Sequence, residues 1–164
     1  MSGTTSPRNK ALDLLARREH SVAELRAKLV AREFDAEAID AAIEVLIQDG
    51  LVCDDRFTAA FVAYRVRKGQ GPIRIRGELK QRGVADELIA RHLEQVDVDW
   101  VQLVCSVRHK KYGSARLTDY HEKARQSRFL QHRGFSGEQI RVALGNEHEG
   151  NEQASDDHVA MDST

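Results

Sequence analysis

Leu29-Val30-Ala31-Arg32-Glu33-Phe34 returns as Leu79-Lys80-Gln81-Arg82-Gly83-Val84, and again as Leu130-Gln131-His132-Arg133-Gly134-Phe135. The spacings are 50 and 51 residues. Each copy continues alike. Ile39, Ile89 and Ile140 follow five residues after Phe34, Val84 and Phe135, and Ile43, Leu93 and Leu144 come four later. One apolar frame used three times means one small helical unit used three times. Tandem units stack into extended surfaces more readily than they enclose catalytic pockets.

Working outward, each copy reads as three helices. In the first, Ser6-Pro7 is an N-cap with a first-turn proline, opening a helix to about Arg18 with Ala11, Leu14 and Leu15 inward. Ser21 to Glu24 has the spacing of a capping box and opens a helix carrying Val22, Leu25 and Leu29. Asp35 caps a third helix with Ile39, Ile43, Leu46 and Ile47 on one face, stopping near Gly50. The second copy starts near Asp54, carries Phe57, Phe61 and Tyr64, and breaks at Lys68-Gly69-Gln70-Gly71 before Pro72 opens its next helix. The third starts near Asp97, includes Trp100, Val101, Val104 and Val107, pauses near Gly113 and resumes over about 118–133. Ser136 to Gln139 forms another capping box. Tyr64 and Trp100 are assigned to core or inter-unit packing.

The expected architecture is all-α: a tandem array of three three-helix repeats, about nine helices, elongated and curved. Its parts are a flexible N-terminus (1–5), units at 6–53, 54–96 and 97–145, and a disordered acidic tail (146–164). The tail holds almost no large apolar side chain, so it cannot offset the entropy of ordering. Each unit of about fifty residues is near the lower limit for an independent core and should lean on its neighbours.

Composition narrows the function classes. Two cysteines, Cys53 and Cys105, make no disulfide framework, no secretory signal precedes them, and no apolar run approaches a bilayer span. The expectation is a reduced, cytoplasmic monomer without a membrane role. The net charge of −1 hides a division. Residues 1–56 carry eight basic and eleven acidic groups, 57–145 carry seventeen and nine, and 146–164 carry none and six. A basic middle suits a polyanion or an acidic partner. The acidic tail beside it can act as a tethered phosphate mimic.

Two regions concentrate the cations. Arg65, Arg67, Lys68, Arg74, Arg76, Lys80 and Arg82 fall within eighteen residues against one acid, Glu78. The glycines around Gln70 let the backbone come close to a phosphate or to another backbone. Further on, His121, Arg125, Arg128 and His132 form one helical stripe, with Arg116 and the trio Arg108, Lys110 and Lys111 upstream. Lys123 and Gln126 stand where the first copy has Val22 and Leu25, an exchange of apolar for polar that costs core stability and so points to binding. The bland alternative for both regions is a solvated helix face. Cys105 and His109 share a face, but a structural zinc needs four ligands and no second pair exists, so no metal is expected. Phosphate-loop, dinucleotide and nucleophile-elbow motifs are missing, and neither a cofactor nor an enzymatic reaction is expected.

Asp54-Asp55-Arg56-Phe57 and the run from Arg65 through Lys68-Gly69-Gln70-Gly71-Pro72 to Arg76-Gly77-Glu78-Leu79 resemble the RecX family of bacterial recombination regulators. So do residues 20–29, Asp99-Trp100, Lys111-Tyr112-Gly113 and Phe129 to Phe135. The resemblance covers about residues 10–145. It implies three tandem three-helix units and a non-enzymatic inhibitor that lies along the groove of the RecA–DNA filament. Such a protein impedes filament growth, lowers ATPase, strand-exchange and co-protease activity, and so modulates recombination and the SOS response. It places groove-facing cations at Arg65, Arg67, Lys68, Arg74, Arg76 and Lys80, with Arg125 and Arg128 beyond. Partners are then the RecA filament and single- or double-stranded DNA. Two features depart from the pattern: Val84 in place of Phe, and the acidic tail. Other readings of the same residues are a helix-turn-helix-like transcriptional regulator and an α-helical scaffold with no nucleic-acid role.

Overall fold

A computed structural model describes residues 6–114 and 117–145. Among these residues there are nine α-helices and no strand. They are α1 (Pro7–Leu15), α2 (Val22–Val30), α3 (Ala36–Gln48), α4 (Asp54–Arg67), α5 (Pro72–Gln81), α6 (Asp86–Gln95), α7 (Trp100–Tyr112), α8 (Tyr120–Arg133) and α9 (Gly137–Ala143). The expected N-terminal fraying, the tail and Arg116 lie outside the described residues.

The caps explain where helices begin. Ser6 accepts from the Asn9 amide ahead of Pro7, Asp35 from Glu37 and Ala38, Asp99 from Val101 and Gln102, and Asp119 from Glu122. Each satisfies amides that the first turn leaves without a carbonyl. The box at Ser136 and Gln139 is complete. The one at Ser21 is half built: Ser21 accepts from the Glu24 amide, but the Glu24 carboxylate turns to Arg18. Helix α1 also stops at Leu15, three residues short of the expected end.

Three cores form, one per repeat. The first gathers Ala11, Leu25, Leu29, Ile39, Ile43, Leu46 and Val52. The second gathers Phe57, Val62, Ile75, Leu79, Val84, Ile89 and Leu93. The third has Val104, Leu130, Phe135, Ile140 and Ala143, with Leu144 partly buried against them. The apolar frame of the repeat is therefore the core frame. Burying one such leucine is worth roughly 1.5–3 kcal/mol, so each small core depends on every member. Ile47, expected inward, is exposed. Trp100 begins α7 yet packs on the second core, bridging two units as expected. Tyr64 does not: it is 46% exposed, with the Arg65 and Lys68 cations over its ring.

Candidate functional site

The main helix-to-helix packing falls inside each unit, so the units are fastened by helix ends and turns. The same fastening occurs twice. Between units 1 and 2, the Ser21 hydroxyl at the head of α2 donates to the Arg82 carbonyl, 2.5 Å away, at the tail of α5. The Val22 amide is taken by the Asp54 carboxylate at 2.8 Å. Between units 2 and 3, the Gly71 and Ile73 amides at the head of α5 donate to the carbonyls of Arg133 (2.7 Å) and Gly134 (3.0 Å) at the tail of α8. Gly71 is the repeat equivalent of Ser21, and Arg133 of Arg82. At the second joint, amides that lack an intrahelical acceptor meet carbonyls that lack an intrahelical donor. At the first, the Ser21 hydroxyl meets the carbonyl and Asp54 takes the amide. At both, the helix dipoles run head to tail.

Close approach explains the glycines. Gly83 and Gly134 have φ of +73° and +91°, and a Cβ on either would fall inside 3.0 Å of Ala23 or Arg74 respectively. A Cβ on Gly71 would collide with the Gly134 carbonyl. Of the two expectations for the Gly-Gln-Gly segment, the structure shows close approach of another backbone. The corresponding residue of unit 1 is Glu33, at φ +61°. Glu33 is exposed and no other unit among the described residues docks there, so a side chain fits and only the local φ strain remains.

The cations expected to bind divide into two groups. Arg65 is engaged internally: its guanidinium sits 2.6 Å from Glu78 and 4.9 Å over the Phe61 ring. Arg74 holds the other side of Glu78 at 2.9 Å and donates to the His132 carbonyl across the joint at 3.0 Å. Arg82 lies over Phe61 at 4.8 Å and donates to the Glu78 carbonyl. Lys80 pairs with Asp86, and Arg125 with Glu122, both at 2.9 Å. The Glu122 carboxyl is held below its usual range by hydrogen bonds from Gln126 and then Arg125. Arg67, Lys68, Arg76 and Arg128 are exposed and have no carboxylate partner among the described residues.

The polar exchange in unit 3 also has an internal account. Gln126 is only 3% exposed. Its carbonyl accepts from Arg108 and its amide donates to Glu122, each at 2.8 Å. A buried amide with both ends satisfied belongs to the fold, so its presence does not point to a ligand. The stripe itself, His121, Arg125, Arg128 and His132, faces solvent.

A cleft at the joint of units 2 and 3 brings together residues the sequence left apart. Arg67, Lys68 and Gly69 form one wall, and Lys110, Lys111 and Arg133 come from unit 3. Val66, Leu103, Val107 and Phe129 contribute apolar lining, and the volume is about 340 Å³. No carboxylate of the described residues lines it. Sequence reasoning passed over Arg133 as a repeat-frame residue and set Lys110 and Lys111 in the second cationic region, apart from Arg67 and Lys68. The available signal was the spacing Leu103, Ser106, Val107, Lys110, Lys111, one face of α7 turning from apolar to cationic.

Comparisons with known proteins agree with this geometry. Residues 8–46, 54–93 and 97–144 match the family models described as RecX, first, second and third three-helix domain. The chain is 46% identical to the regulatory protein RecX of Halorhodospira halophila over 136 residues, 83% of this chain and 84% of that one. It is 44% identical to that of Pseudomonas savastanoi over 128 residues, covering 78% and 83%. Two solved structures share the fold at 20% identity. One is RecX from Lactobacillus salivarius, with TM-score 0.70 over 85% of this chain and 93% of that one. The other is a regulatory protein RecX, with TM-score 0.71 over 86% and 70%. With all three units matched in order and near-full-length relatives above 40% identity, the chain belongs to the RecX family.

Proposed function

We propose that this protein is a regulator that docks on the RecA–DNA filament and lowers recombinase activity by occupancy, without bond-making chemistry. Membership of a family of regulatory proteins supports the regulatory role. The observation that carries the rest is the placement, on two jointed units, of cations with no carboxylate partner among the described residues. Arg67, Lys68 and Arg76 are on unit 2, and Lys110, Lys111 and Arg128 on unit 3. A surface with that charge and span can touch several repeating sites of a polymer at once. Weak contacts then add through effective concentration, provided the joints hold the units in place. Phosphates of DNA or acids of the recombinase can meet these cations, while the acidic first unit complements basic recombinase surface.

The test is ATP hydrolysis by RecA on single-stranded DNA, titrated with this protein. The expected result is a fall below one copy per RecA protomer. No inhibition at a one-to-one ratio overturns the proposal. If about six contacts go to phosphate, affinity for DNA falls on the order of a thousandfold between 50 and 200 mM salt. Strong preference for one duplex sequence in a mobility-shift assay would instead favour a transcriptional regulator.

A further inference from the structure

The cleft between units 2 and 3 holds a charge arrangement that the described residues do not balance. Arg67 and Lys68 end α4, Lys110 and Lys111 end α7, and Arg133 ends α8. Three helix C-termini therefore converge on it. Each contributes roughly half a negative charge, which is the structural reason cations settle at such ends. Five cations exceed that offset by about three and a half charges.

Among the described residues none of the five is held by a carboxylate. Lys111 Nζ lies 4.5 Å over the Phe129 ring, and the Arg133 guanidinium lies 5.3 Å over the same ring. Lys68 Nζ lies 5.6 Å over Tyr64. Arg133 also donates to the Lys68 carbonyl at 2.9 Å, which ties it across the joint. Aromatic faces and one carbonyl position these groups while leaving most of their N–H donors unspent. The cations come from both units, so with nothing in the cleft they repel one another across the joint. The apolar lining of Val66, Leu103, Val107 and Phe129 lowers the local dielectric and strengthens that repulsion.

We propose that this cleft is a phosphate site, and that a phosphate group seated in it ties unit 2 to unit 3. A tetrahedral dianion or phosphodiester supplies several acceptor oxygens to donors arriving from both walls. It exchanges repulsion across the joint for attraction to a shared ligand. Occupancy fixes the angle between the units and so sets the pitch of the array. The inference goes beyond filament docking and stands on the cleft alone.

Thermal unfolding of the full-length chain tests it. Sodium phosphate and tripolyphosphate are compared with sodium chloride at matched ionic strength. At ten times Kd, phosphate raises Tm by about 3–6 °C over the chloride control. Lys110→Glu with Lys111→Glu abolishes the rise. Lys110→Gln with Lys111→Gln, which adds no negative charge, reduces it and guards against misfolding of the first variant. Equal Tm in phosphate and chloride, or an undiminished rise in the glutamine variant, overturns the proposal. A short single-stranded oligonucleotide separates the sources of the group. Stabilisation at lower phosphate-equivalent concentration than the free anion assigns the site to a nucleic-acid strand, and the reverse assigns it to free phosphate. A rise with a glutamate-rich peptide but none with phosphate overturns the phosphate assignment and gives the cleft to acidic protein segments. The assay contains no recombinase, so its failure and a failure of ATPase inhibition are separate results.

Discussion

Substituting alanine for three glycines separates backbone strain from inter-unit collision. Gly50 has φ +68° and nothing within 4 Å of an added Cβ. Gly50→Ala therefore meets only the left-handed penalty, about 1–2 kcal/mol. Gly71 has φ −84°, an ordinary value, but its Cβ would strike the Gly134 carbonyl and the Phe135 amide. Gly71→Ala carries no φ strain and gains about 0.4–1 kcal/mol from a stiffer unfolded chain. Against that it must open the joint and lose the Gly71 and Ile73 hydrogen bonds. Two such bonds are worth about 2 kcal/mol together. The Arg74 and Arg133 bonds across the joint go with them. The expected net loss is about 2–3 kcal/mol. Gly134→Ala combines both penalties, about 3–5 kcal/mol.

Urea unfolding followed by circular dichroism measures the series. Gly71→Ala should also lower the m-value, because units freed from one another unfold in separate steps. In the ATPase assay Gly50→Ala should inhibit RecA like the parent. Gly71→Ala should need roughly tenfold more protein, since unlinked units lose effective concentration. If Gly71→Ala is as mild as Gly50→Ala and unfolds with an unchanged m-value, the joint is not an energetic fastening and the multivalent mechanism fails with it.

Other expectations follow from the division of the cations. Arg65→Ala leaves the largely buried Glu78 with Arg74 alone and should destabilise by about 1–3 kcal/mol in urea. Arg76→Ala should stay within about 0.5 kcal/mol of the parent but reduce the slope of log affinity against log salt by about one on DNA. The reverse outcome would mean Arg65, not Arg76, is the contact. Glu33→Gly relieves an exposed left-handed residue and should stabilise by about 1 kcal/mol in a urea titration; a loss would show that the Glu33 side chain makes a contact of its own. His20 is buried, which pushes its imidazole below the usual range, and its Nδ1–H donates to the Arg18 carbonyl. The unfolded chain then binds a proton that the folded one resists, so stability should fall as pH drops below about 6.5. His20→Gln should flatten that dependence in urea titrations between pH 5 and 7, and an unchanged slope would remove His20 as its source.

The repeat frame, the helix starts and the core were legible because each depends on neighbours within a few residues. Leu25, Leu29 and Ile39 recur as Ile75, Leu79 and Ile89 since one helical period buries them, and Asp35 or Asp119 caps the helix it precedes. The basic character of residues 57–145 was equally plain. Which of those cations are available was not, because partners are chosen in space. Glu78 selects Arg65 and Arg74, and Asp86 selects Lys80, while Arg67 and Lys68 escape. Gln126 looked like a concession to a ligand until Arg108 and Glu122 closed on either end of it. The cleft needed the joint itself: only when the Arg133 and Gly134 carbonyls seat the head of α5 do Lys110 and Lys111 come to face Arg67 and Lys68. Local periodicity and capping fix each unit, whereas the charge left over for a partner is what remains after distant side chains have paired.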